Sequence, residues 1–465
     1  MREADHVLGP RGHVGVALAL LAVALSAGCS RDERAPAPSP PNVLLIAIDT
    51  LRADKLGCYG SELGATPRID AFAKDAVRFE TAYAHSPWTL PSFASLFTSL
   101  HPPEHGAGGY LRSFVGLADD RHTLAECFRD AGYATFAVIN VDFLGGSFGM
   151  TQGFEEVDFE VYPDNVRVRT ADRTTDAALR RLREAHERPF LMLVHYFDPH
   201  MVYAPPDPYR ARFAAPGDRA PGGWTFGTRA QIVGAWQGRL RFGADTIRRA
   251  EKLYDGEVAH VDHEVGRLLE GLRQSGLLGD TVVVLTADHG EEFWDHGGFA
   301  HGHTLYEEQL RVPLLISWPG RLEPRSVPAP VAHVDLAPTL CELAGVAVDP
   351  QFVGRSLVPQ LEGSAAPARP VLCAGNFWGP PILSWTRDGA KLVVHPDGGT
   401  ELYDLRADPG ETRDLAAGEP ERVDAMREEL TQALRARRRL APPADGTPEL
   451  TPAERDRLRA LGYLE

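Results

Sequence analysis

The chain has 465 residues, 43% hydrophobic and 24% charged, with a formal net charge of −16 at pH 7. That length holds one large domain or two to three smaller ones, with enough apolar residues for a core that needs no staples. The acidic balance argues against a nucleic-acid partner, which requires a basic face, and the near-average charge fraction argues against wholesale disorder.

Residues 1–28 read as an export signal: Val14 to Leu25 is an apolar run too short to span a bilayer but suited to a signal-peptide core. The run ends in Leu25-Ser26-Ala27-Gly28-Cys29, which resembles a bacterial lipoprotein processing site with Cys29 as the lipidated first residue. Residues 29–40 follow as a tether, since Ala35-Pro-Ala-Pro-Ser-Pro-Pro41 favours extended polyproline II. The expected location is therefore the cell envelope, lipid-anchored and facing the periplasm or the exterior, with simple secretion as the alternative. The other cysteines, Cys58, Cys127, Cys341 and Cys373, show no metal-type spacing and predict no disulfide framework.

Five nearly continuous apolar runs predict strands covered on both faces: Asn42–Asp49, Tyr133–Asn140, Pro189–Asp198, Thr281–Asp288 and Arg311–Trp318. Helices are predicted between them, at Thr66-Pro67, Thr123–Ala131, Thr175–Ala185, Ile247–Ser275 and Ala337–Ala344. Strand alternating with helix implies an α/β domain with a large, mostly parallel sheet, over about 41–345. Beyond that, Lys391–His395 and Glu401–Leu405 read as a hairpin, and Thr451-Pro-Ala-Glu454 as a capping box opening a terminal helix. Residues 346–465 are thus expected to form a small C-terminal α+β subdomain. Pro205–Gly243, rich in Pro, Gly and Arg, reads as an insertion near the site entrance.

Three of the strands end in Asp: Asp49, Asp198 and Asp288. One such Asp is an ordinary turn former. Three, with His200 and His289 beside them, point to a divalent-metal site at the carboxyl edge of the sheet, where open α/β sheets bind ligands. Thr89, in Trp88-Thr89-Leu90-Pro91-Ser92, falls at the start of a predicted buried helix. A helix N-terminus suits a tetrahedral oxyanion, although Thr89 taken alone reads better as a simple N-cap. The run Asp288-His289-Gly290-Glu291, His296, His301-Gly302-His303 follows a strand end in a Gly-rich loop; His296 reads as structural.

These residues make the chain resemble the sulfatase family of the alkaline-phosphatase superfamily. The resemblance runs through Pro41–Asp49, Leu56-Gly-Cys-Tyr-Gly60, Thr66–Asp70, Ser86–Ser92, Asp198-Pro-His200, Thr286–Glu291, Tyr306-Glu-Glu308 with Arg311-Val-Pro313, and Glu401–Leu405 with Asp408-Pro409. Three departures stand against it. Thr89 replaces the Cys or Ser that becomes formylglycine, Phe93 replaces the signature Arg, and Thr50 replaces the second Asp of a metal pair.

No formylglycine is therefore expected. The resemblance implies a metal-dependent hydrolase of sulfate, phosphate or phosphonate esters, with Thr89 as nucleophile and a covalent intermediate. It implies one divalent cation on Asp49, Asp288, His289 and Thr89, with Ca²⁺ first and Mn²⁺, Mg²⁺ or Zn²⁺ as alternatives. Arg52 is expected to stabilise charge on the ester, His200 to protonate the leaving group, and His301 to contact the ester anion or help release the intermediate. Thr50 is a further possible ligand. Asp198, with His200 and His301 or His303, is a possible second metal site. The substrate is a small-molecule, glycan or lipid ester. The rival readings are a transferase of phospho-substituents to an envelope acceptor, and a catalytically silent binding lipoprotein.

Overall fold

The computed structural model describes residues 40–465, apart from 111–112, 161–167, 185–186, 216, 218–222, 224, 237–238, 438–446, 462 and 465. The export signal, most of the tether and Cys29 lie outside the described residues.

Eight strands form the central sheet: β1 (Asn42–Ile48), β2 (Val77–Phe79), β3 (Ala134–Ile139), β4 (Glu156–Phe159), β5 (Phe190–Tyr196), β6 (Thr281–Ala287), β7 (Leu314–Ser317) and β8 (Arg325–Val327). Their order is β8-β2-β7-β6-β1-β5-β3-β4, with β1 central and parallel to both neighbours, β5 and β6. Only β7 runs against the rest. Val43 to Ile48 and Val282 to Leu285 are all buried, which is why these strands read as unbroken apolar runs.

The run expected as one strand at Arg311–Trp318 is two. Arg311–Val312 pairs with Ala82–Tyr83, and β7 begins after Pro313, which lacks the N–H a central ladder needs.

Three helices bear on the site: α1 (Thr89–Thr98), α2 (Ala171–Glu184) and α3 (Ala244–Gln274). All ten residues of α1 are buried, and Pro91 falls in its first turn, where an N–H would lack an intrahelical partner anyway. None of the helices among the described residues is long and apolar enough to cross a membrane.

Past the central sheet, β9 (Val371–Ala374), β10 (Leu383–Arg387), β11 (Ala390–Val394) and β12 (Thr400–Asp404) form an antiparallel meander, the small C-terminal sheet. Helix α4 (Pro420–Arg437) covers it, packing Val423, Met426 and Leu430 on Leu372, Trp385, Leu392 and Leu402. The chain end does not stay there. Helix α5 (Pro452–Ala460) opens with the expected Thr451/Glu454 capping box, and Leu458 and Tyr463 pack into the core of the large domain. The Arg457 guanidinium clamps Asp142, with Nε 2.8 and 3.0 Å from its two carboxylate oxygens.

Candidate metal-centred active site

The parallel strands β1 and β6 are paired in register from Asn42–Thr281 to Ile48–Ala287, so their next residues, Asp49 and Asp288, emerge side by side. His289 follows at once. These three place ligand atoms within 4.8 Å of one another, and all three are buried.

The details suit a cation. Both oxygens of Asp49 and Oδ2 of Asp288 are buried with no hydrogen-bond partner, whereas native interiors leave few such groups unsatisfied. Asp288 Oδ1 is used otherwise, accepting from the N–H groups of Thr50 (3.2 Å) and His289 (2.8 Å). Nδ1 of His289 donates to the Gly290 carbonyl at 2.9 Å, which leaves Nε2 with its lone pair. That Nε2 sits 3.7 Å from Asp49 Oδ1 and 3.4 Å from Asp288 Oδ2. Burial, and then the Asp288 charge, hold the Asp49 carboxyl well above its ordinary range. Two carboxylates this close need a positive charge between them or a proton.

Thr89, the first residue of α1, brings its hydroxyl to 3.5 Å from His289 Nε2. One turn on, Ser92 donates to the Asp288 carbonyl at 2.5 Å and ties the helix to the end of β6. Thr50 takes a left-handed backbone (φ 54°) in the turn after β1, and its hydroxyl is buried without a partner. Tyr254 of α3 braces this turn, donating to the Thr50 carbonyl at 2.7 Å and accepting from the Arg52 N–H at 3.1 Å.

On the other side, His301 stacks near His289, with 4.5 Å between ring centroids, and His200 lies 4.9 Å beyond it. Nδ1 of His200 donates to the Met201 carbonyl at 2.6 Å. Burial pulls both imidazoles well below the usual histidine range, so they are neutral.

Two expectations need correction. The Arg52 guanidinium is already engaged: it is paired with Asp54 (2.7 Å) and Asp295 (2.9 Å), and these two carboxylates occupy its fork. Asp198 does not join His200, His301 or His303. The His200 N–H bonds back to the Phe197 carbonyl at 2.8 Å, and this tight turn sends the two side chains to different neighbours. Asp198 meets Glu257 and His260 of α3 instead, while His303 bonds Glu292 at 2.8 Å.

Sequence reasoning missed three groups. Tyr463, from the chain end, contacts both His200 and His301. Glu291 meets Nδ1 of His301 at 2.9 Å and accepts from the Tyr203 hydroxyl at 2.8 Å. His195, inside β5, sets Nε2 3.3 Å from Asp49 Oδ2. Glu291 stood in the Asp288–Glu291 motif without a role assigned to it, His195 carried a signal as a lone histidine in an otherwise apolar strand, and Tyr463 carried none. Phe93, where the family signature has Arg, is fully buried edge-on to the His195 ring.

Comparison with known proteins points to one family. A family model described as Sulfatase matches residues 41–346. An uncharacterized sulfatase of Escherichia coli (strain K12) is 27% identical, over 81% of this chain and 83% of that protein. An arylsulfatase of Clostridium perfringens is 26% identical, over 85% of this chain and 95% of its own. The phosphonate monoester hydrolase of Agrobacterium radiobacter shares the fold with a TM-score of 0.69 at 23% identity, covering 85% of this chain and 95% of its own.

Proposed function

The chain belongs to the sulfatase family and is an ester hydrolase, and on that premise we propose that it cleaves sulfate, phosphate or phosphonate esters with Thr89 as nucleophile. The observation that carries this reading is the approach of the Thr89 hydroxyl to 3.5 Å from the bare Nε2 of His289, beside unpartnered carboxylate oxygens of Asp49 and Asp288. Asp49, Asp288, His289 and Thr89 would hold one divalent cation, Ca²⁺ in first place; Thr50 offers a neutral hydroxyl nearby. Such a cation lowers the pKa of a hydroxyl bound to it and neutralises charge on an ester's oxygens.

The chain's own groups do the rest. Thr89 Oγ, its proton lost to water, attacks the sulfur or phosphorus and becomes esterified, while the bond to the alcohol oxygen breaks and the alcohol leaves with that electron pair. Unpaired N–H groups at the start of α1 favour the anionic group held there. His200 supplies the proton to the departing oxygen. An anionic ester beside it raises its pKa, so that it is charged when needed. His301 then assists water in releasing sulfate, phosphate or phosphonate from the esterified Thr89. Arg52, committed to Asp54 and Asp295, orders the loop and takes no part in the step.

Residues 1–28 and Cys29 support export to the envelope on a lipid anchor, with a small-molecule, glycan or lipid ester as substrate. Cys29→Ser is expected to move the protein to the soluble fraction; no change rejects the anchor.

The function is tested with the purified protein and several divalent metals on aryl sulfate, phosphate monoester, phosphodiester and phosphonate monoester. Wild type is expected to turn over at least one, and Thr89→Ala none. Equal rates for wild type, Thr89→Ala and Asp288→Asn reject the hydrolase in favour of a silent binder. Transfer to an added alcohol in preference to water favours the transferase.

A further inference from the structure

Helix α3 carries Glu257 and His260 three residues apart, which puts both side chains on one helical face. That face meets Asp198, just past the end of β5, and the three residues bring ligand atoms within 4.8 Å of one another. His260 is only 5% exposed and Glu257 only 4%. Nδ1 of His260 and Oδ2 of Asp198 are both buried with no hydrogen-bond partner. Glu257 Oε1 accepts from the Ala204 N–H at 2.8 Å.

We propose that Asp198, Glu257 and His260 form a second divalent-cation site, separate from the one at Thr89. Two carboxylates and one imidazole make a mixed oxygen and nitrogen donor set, which suits Mn²⁺ or Zn²⁺ better than the all-oxygen cage preferred by Ca²⁺ or Mg²⁺.

The electrostatics suit such an ion. Burial pushes both carboxyls upward, and the Asp198 charge pushes Glu257 further. Without a cation the pair must keep a proton between them; a bound ion removes that need and gives the orphaned Nδ1 or its ring partner a ligand role. The site also has a mechanical consequence. Asp198 and Ala204 bracket the segment that carries His200, so an ion joining Asp198 to α3, beside the Glu257–Ala204 bond, fastens the leaving-group histidine to that helix.

The test uses the purified full-length chain, stripped of metal and dialysed against MnCl₂, with bound manganese counted by elemental analysis. Wild type is expected to hold two ions per chain. Glu257→Gln and His260→Gln, both near-isosteric, are each expected to hold one and to keep the wild-type circular dichroism. Asp288→Asn is also expected to hold one, and Glu257→Gln with Asp288→Asn none. Equal ion counts in wild type and in folded Glu257→Gln and His260→Gln overturn the proposal and leave a proton-sharing carboxyl pair. If Asp288→Asn keeps both ions while Glu257→Gln loses one, the second site stands and the proposed catalytic one fails.

Discussion

The Tyr463 hydroxyl lies 3.0 Å from Nε2 of His301, and its other neighbour is Nε2 of His200 at 3.3 Å. Proton counting orders this contact. His200 Nδ1 donates to Met201, so its Nε2 has to accept, and the Tyr463 O–H is the donor. Tyr463 must then accept from His301 Nε2–H, which leaves His301 Nδ1 bare toward Glu291. The contact closes only if Glu291 is protonated, and burial does raise its carboxyl to about 8. One directional chain therefore runs from Glu291 through His301 and Tyr463 to His200.

Tyr463→Phe breaks that chain and keeps the ring contacts to Phe143 and Phe377. If His200 is the acid and is recharged along it, kcat falls about 100-fold while KM holds, at the lower end of what general acid catalysis contributes. Steady-state kinetics decide it. An unchanged kcat removes Tyr463 from the mechanism.

The Asp49–Asp288 pair predicts opposite effects with and without metal. In metal-free protein Asp49→Asn removes one of two crowded buried carboxyls, whose pKa is raised by burial and by its neighbour, and the melting temperature should rise. In wild type, saturating metal stabilises the fold, by about 2.7 kcal/mol at a hundred times Kd, and Asp49→Asn should lose that increment. Thermal melts with chelator and with added cation check both signs. A variant that melts lower than wild type without metal contradicts the account.

Phe93 marks where restoring the family pattern should fail. It is fully buried against Phe97 and His195, and His195 is itself held neutral by burial, its pKa pulled down to about 4. Phe93→Arg would set a guanidinium beside that neutral ring, where the neighbouring carboxylates are those of the metal-site Asp49 and Asp288. Uncompensated burial of a charge costs several kcal/mol. Loss of soluble protein or of melting temperature is expected, with no new arylsulfatase activity. Phe93→Ala, a cavity only, should cost about 3–5 kcal/mol and fold if the protein has that reserve.

Fold and metal cluster were legible in the chain for one reason: strands buried on both faces are apolar throughout, so the polar residue that ends each one stands out. Asp49, Asp288 and His289 are such residues, and parallel register brings the ends of β1 and β6 together. Asp198 was equally visible, but which neighbour it meets depends on one tight turn and on the face of α3, and spacing reports neither. Tyr463 was invisible because its partner residues lie 162 and 263 positions away, reached only after α5 folds back. Arg52 was misplaced because Asp295, which captures it, is separated from it by 243 residues.

His296 supplies a pH test away from the chemistry. Its Nδ1 bonds Glu308 at 2.8 Å, its Nε2 faces the Glu411 carbonyl at 3.2 Å, and its ring stacks on Tyr306 with 3.7 Å between centroids. Burial alone would lower its pKa. The Glu308 carboxylate outweighs burial, and with the Glu411 carbonyl it raises the pKa to about 9. A cationic group whose folded pKa exceeds the unfolded value of about 6.5 stabilises fully below that value, and its contribution fades as pH rises toward the folded pKa. His296→Gln should therefore lower the melting temperature most at pH 6, less at pH 8, and least above pH 9. A deficit that is constant across this range would mean that the imidazole acts through its stacking on Tyr306 and not through its charge.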